Sequence, residues 1–209
     1  MSLETASLKK SVGEDAVSLA REALTLYAEQ GKKHQLGSKA GPLYEKGGAM
    51  VRLVSGSTGV LCGTAAVFDE NTQLGKSIID ATVTAASERR GQNSVSKKTA
   101  SEKIISVAII ESVHTVENPQ QLDANDSVFV PVFITDDTPG WIHPEVYLEN
   151  DWSLDEYMER TRVIAKRNNP GEINNRPFFF RVKCYRESTA CGLVKHIDSV
   201  EDFDVDRIW

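Results

Sequence analysis

The sequence predicts an α+β protein with a mixed or mainly antiparallel sheet flanked by helices, and with enough chain for a smaller lobe. Three observations carry that reading. Residues 47–68, GGAMVRLVSGSTGVLCGTAAVF, hold two apolar runs separated by a turn of small residues, which is the pattern of a hairpin. A stretch of helical period, residues 74–88, follows almost at once and is apolar over most of its surface. The order of elements (helix, hairpin, helix, strands, helix, strands) lacks the alternation of a βαβ repeat.

The bulk properties fit a folded chain. At 209 residues it is long enough for a substantial core, and 40% hydrophobic with 26% charged content suits a globular protein. Its formal net charge of -6 counts against a general nucleic-acid binder, which presents a basic excess. The three cysteines, Cys62, Cys184 and Cys191, include no C-x-x-C pair, so neither a zinc site nor a dithiol redox pair is indicated. The opening MSLETASLKKSVGED has no apolar signal core, and no apolar run reaches the ~20 residues of a membrane helix. A cytoplasmic setting without membrane attachment is expected.

Residues 1–11 read as a polar leader. From 14 to 30, Ala16, Leu19, Ala20, Ala23, Leu24 and Tyr27 recur at helical spacing, and Gly31 supplies the stop. Residues 32–46 show no period and are expected as a loop. Residues 49–54 form a strand interrupted by Arg52, and 60–68 form its hairpin partner. Gly63, Ala65 and Ala66 weaken strand propensity there but permit close packing.

The helix over 74–88 faces the core with Leu74, Ile78, Ala81 and Ala85. A polar loop follows to residue 102. Residues 104–113 are β-branched and predict a strand. In 128–134 Pro131 predicts an edge or interrupted strand. Asp136-Asp137-Thr138-Pro139-Gly140 is a turn, and Pro144 opens a short helix or marks a bend. Ser153 and Glu156 fit a capping box for a helix to about Ala165. FFFRVKCY, residues 178–185, predicts the last major strand, and 192–197 another. One domain over 12–197 is expected, with an acidic tail over 198–209.

The candidate residues for chemistry are Cys62 and His143. A cysteine nucleophile needs a thiolate and therefore a nearby base or positive charge. His34, His114, His143 and His196 are the available imidazoles, and spacing alone does not select among them. His143, in Trp141-Ile142-His143-Pro144, sits beside an aromatic that can line a pocket or simply anchor a loop. The glycines of the hairpin match neither G-x-G-x-x-G before a helix nor a P-loop, so no nucleotide cofactor is indicated. No H-E-x-x-H, EF-hand or Cys/His finger spacing marks a metal site. Asp136 and Asp137 are read as solvated turn residues.

VLCGTA at 60–65, LGKSIIDATVTAASE at 74–88 and IISVAIIESV at 104–113 resemble the central part of the AMMECR-type domain. HPEVYLENDWSLDEYMERT at 143–161 and FFFRVKCY resemble its later segments, so the likeness covers most of 17–185. The family signature L-R-G-C-I-G is matched on Cys62. The preceding arginine–glycine pair is absent, Gly63 stands at the isoleucine and Thr64 at the second glycine.

The resemblance implies an α+β domain with an antiparallel sheet. It also implies membership of a largely uncharacterised family, some of whose members occur near proteins resembling the MEMO family and radical-SAM enzymes, hence a place in a modification pathway. Two alternatives stand beside that reading. One is a cysteine-dependent enzyme using Cys62 with His143. The other is a non-catalytic binding or scaffold domain with an unidentified protein or small-molecule partner.

Overall fold

Strands β1 (Ala49–Ser55) and β2 (Leu61–Val67) form the expected hairpin. The computed structural model describes residues 3–37, 41–88, 94–116, 119, 122, 128–173, 176–188 and 194–199. Five more strands complete one antiparallel sheet: β3 (Lys103–His114), β4 (Val128–Thr135), β5 (Thr138–Gly140), β6 (Phe178–Glu187) and β7 (Val194–Ile197). Their order is β2-β1-β3-β6-β4-β5, with β7 also on β6.

Strand period assigns the two faces of the sheet. Ala49, Val51 and Leu53 of β1 point with Ile105, Val107 and Tyr185 into one core cluster. Helices α1 (Leu3–Gln30) and α2 (Leu74–Ser87) cover that face. Met50, Ala108, Val182 and Cys184 point the other way, beneath α3 (Pro144–Glu149) and α4 (Leu154–Asn168). The result is three layers: helices, sheet, helices.

Local chemistry explains most boundaries. Gly31 ends α1 at φ +65°, its N–H donating to the Tyr27 carbonyl at 2.8 Å. At the other end α1 begins at Leu3, so most of the expected polar leader is helical, as its Leu, Lys, Glu and Ala content allows. Ser153 caps α4 by accepting from the Glu156 N–H at 3.2 Å. Pro131 sits where β4 has β6 alone as neighbour, because β5 pairs only with Phe133–Thr135. The expected turn is tighter than the sequence implies. Asp136 and Asp137 alone make it, at φ 44° and 64°, and Thr138–Gly140 already pairs as β5. Most of the acidic tail lies outside the described residues.

Two close approaches fix the layers. A Cβ on Gly63 would lie 1.9 Å from the Ala85 carbonyl oxygen, so α2 rests directly on the β2 backbone. A Cβ on Gly140 would lie 2.2 Å from that of Ala165, which holds α4 against β5.

Candidate functional site

A β-bulge decides which residues of the hairpin reach which face. Leu53 pairs with Gly63 and Val54 with Leu61, so Cys62 is the extra residue. Cys62 and Gly63 both turn toward α2, while Leu61 and Thr64 turn to the opposite face. The Cys62 thiol is fully buried in the α1–α2 cluster, its Sγ donating to the Val60 carbonyl at 3.4 Å.

On the other face, one row of side chains crosses the sheet. Thr64, Arg52, Ser106 and Arg186 stand side by side on β2, β1, β3 and β6. The small Ser106 leaves room between the two guanidinium groups, and α3 fills it with carboxylates. Glu145 pairs with Arg52 at 2.7 Å and also with Arg186. Glu149 accepts from Arg52 at 2.9 Å and lies 3.3 Å from Arg186. Glu145 is 1% exposed. Burial alone raises its carboxyl, but Arg52 and Arg186 outweigh that and hold it at about 2. Burial likewise lowers the Arg52 guanidinium, and Glu145 with Glu149 more than reverses it, so Arg52 stays charged.

His143 caps α3. Its Nδ1 accepts from the Glu145 N–H at 3.3 Å, and Pro144 supplies the first helical φ. The acceptor role places the ring proton on Nε2, which is shut off from solvent beside the Met50 backbone. Burial drives the imidazole down to about 3, with Glu145 opposing and Arg52 assisting. The ring is therefore neutral at physiological pH, and its low proton affinity in this enclosure makes it a weak base. Cys184, on the same face, has its thiol pushed well above the usual range by burial and by Glu145.

Above this floor a cavity of about 600 Å³ opens between β1–β2 and the α3–α4 layer. Arg52, Thr64 and His143 form its polar base, Glu88 and Asn168 add further polar lining, and Trp141, Trp152 and Ile164 supply apolar walls. Trp141 stands edge-on to Phe68 at 6.0 Å, and Arg160 lies over Trp152 at 4.3 Å. The Tyr157 hydroxyl donates to the Ile142 carbonyl at 2.6 Å and pins the segment that carries Trp141 and His143.

The two expected site residues thus lie on opposite faces of the sheet, and the fold does not bring them together as nucleophile and base. The other imidazoles are elsewhere: His34 at 3.4 Å from Glu22, His114 at 2.8 Å from Ser112 Oγ, His196 at 3.5 Å from Asp198. Among the described residues no group of three or more His, Cys, Asp or Glu is placed to hold a metal, and no helix is long and apolar enough to cross a membrane. Cys191 lies outside the described residues.

Sequence reasoning missed Arg52, Glu145, Glu149 and Arg186. The available signals were one arginine inside an apolar strand and two glutamates four apart after Pro144.

Residues 17–185 match the AMMECR1 family. A Halobacterium salinarum relative, Protein VNG_2543C, is 29% identical over 157 residues, covering 71% of this chain and 74% of that protein. The fold is similar to the crystal structure of uncharacterized protein PH0010 from Pyrococcus horikoshii. That likeness has a TM-score of 0.73 at 19% identity and covers 90% of this chain and 97% of that one.

Proposed function

The chain belongs to the AMMECR1 family, and from that premise we propose that it is a ligand-binding domain. It holds a small molecule with a flat apolar body and a polar group in the cavity between β1–β2 and α3–α4. The observation that carries this reading is the cavity itself: a polar floor that is rigid and internally neutralised, under two tryptophans and an aliphatic wall. With Arg52 already matched by Glu145 and Glu149 and His143 Nε2 sealed beneath it, the floor adds little net charge, and hydrogen bonding to a ligand falls to Thr64, Glu88 and Asn168 of the lining.

Reading the family signature against the glycine that packing demands supports the same view. The close approach of Ala85 requires glycine at 63, so we align the second signature glycine there. Leu61, facing the cavity, then stands at the signature cysteine, and Cys62 at the isoleucine. On this alignment the cavity of this chain has an apolar group where the signature has a thiol. In a modification pathway of the kind the resemblance implies, the domain would hold a substrate or product without using Cys62. We place it in the cytoplasm as a single unit over 12–197, a setting that suits the free thiols Cys62 and Cys184.

The test uses 8-anilinonaphthalene-1-sulfonate as a planar aromatic probe. Wild type and Cys62→Ala are expected to bind it with equal affinity and one-to-one stoichiometry. Thr64→Phe, which fills the cavity from a half-buried strand position, should weaken binding at least tenfold. Undiminished binding by Thr64→Phe, or loss in Cys62→Ala, overturns the assignment.

A further inference from the structure

A second concave site lies on the α1 side of the sheet and does not depend on the reading above. A cleft of about 540 Å³ opens where β1 ends, β3 begins and β6 ends, with Arg21, Ser57, Ser101, Lys103 and Glu187 among its walls. Lys103 is only 5% exposed.

The neighbouring charges are committed elsewhere. Glu187 accepts from Arg21 Nε at 3.0 Å and from the Ile105 N–H at 3.0 Å. Arg21 completes its fork on the carbonyls of Ala100, at 2.7 Å, and Lys103. Glu102 is exposed at the rim. The Lys103 ammonium has no ion-pair or hydrogen-bond partner among the described residues, yet it is not one of the polar atoms sealed from solvent. It therefore opens on the cleft.

The Lys103 side chain is packed along most of its length while its ammonium reaches the cleft unmatched, so an anion entering there would meet a positive charge that no carboxylate among the described residues answers. Hydroxyls from two separate segments line the same space: Ser57 on the hairpin, which shares a hydrogen bond with Ser55 Oγ at 3.1 Å, and Ser101 before β3. An ammonium with hydroxyls on two separate segments suits a group with several oxygens at tetrahedral angles better than a flat carboxylate. The volume exceeds what one inorganic ion fills.

We infer that this cleft binds a phosphate-type oxyanion, free or carried on a small metabolite, with Lys103 as its counter-charge and Ser57 and Ser101 as hydrogen-bond donors. The carboxylate of Glu102 at the rim disfavours anions that do not reach Lys103, so the site selects for depth of entry.

Thermal unfolding at constant ionic strength tests this with inorganic phosphate, glycerol 1-phosphate and sodium chloride. Wild type should melt higher in either phosphate than in chloride. The stronger of the two identifies the source, and either ranking sustains the site. Lys103→Met should lose the phosphate-specific rise while melting no lower than wild type in chloride, because it removes an unpaired charge. Ser57→Asp, on an exposed turn, supplies an internal carboxylate and should weaken the phosphate midpoint at least tenfold. The inference is overturned if phosphate raises wild type no more than chloride does, or if the rise survives undiminished in either variant.

Discussion

Lowering the pH should destabilise this protein through one histidine before any carboxylate matters. His143 titrates near 6.5 when unfolded and at about 3 in the fold. Between those values the unfolded chain binds a proton that the native chain refuses, so stability falls as pH falls through that window. Well above pH 6.5 neither state is protonated and the effect vanishes. Between pH 8 and pH 5 the two pKa values translate to a loss of about 2 kcal/mol.

Glu145, held at about 2 in the fold against 4.5 unfolded, adds only about 0.2 kcal/mol to this difference, because it is still mostly ionised in both states at pH 5. His143→Asn isolates the effect, since asparagine can still cap α3 but does not titrate. Urea denaturation at the two pH values should give wild type a loss larger than that of His143→Asn by about 2 kcal/mol. Equal losses in the two proteins would mean that the imidazole is not buried neutral, and the description of the cavity floor would fail with it.

Three further predictions concern packing and charge. Gly63→Ala should destabilise by about 3 kcal/mol, because the added methyl meets backbone that cannot yield. Gly59→Ala, at φ +66° with open space around it, should cost only about 1 kcal/mol by the same chemical denaturation. Glu145→Gln leaves Arg52 and Arg186 sharing the Glu149 carboxylate, and should lower stability by about 3–5 kcal/mol at pH 7. The wild-type contribution of Glu145 is present above about pH 4.5 and is lost as pH falls toward about 2, so the gap between the two proteins should narrow in acid.

The hairpin, α2 and β3 were legible because their patterns are local and periodic. So was the start of α4, where Ser153 and Glu156 lie three residues apart. The buried charge network was not legible, since Arg52, Glu145 and Arg186 meet only through sheet register and the docking of α3. Register cannot be read from a single strand. The expected convergence of Cys62 with His143 depends on a feature subtler still. One extra residue in β2 sends Cys62 to the α2 side and Leu61 to the cavity, and nothing in GVLCGTA announces where the bulge falls.

Whether the thiol and the cavity occupy separate compartments can be measured on the native protein by timed iodoacetamide labelling with peptide mass mapping. The Cys62 peptide should stay unmodified until the protein is unfolded, and 8-anilinonaphthalene-1-sulfonate should leave that rate unchanged. Native-state labelling of Cys62 near the rate of a free thiol, slowed by the probe, would put the sulfur in the binding site and contradict the account.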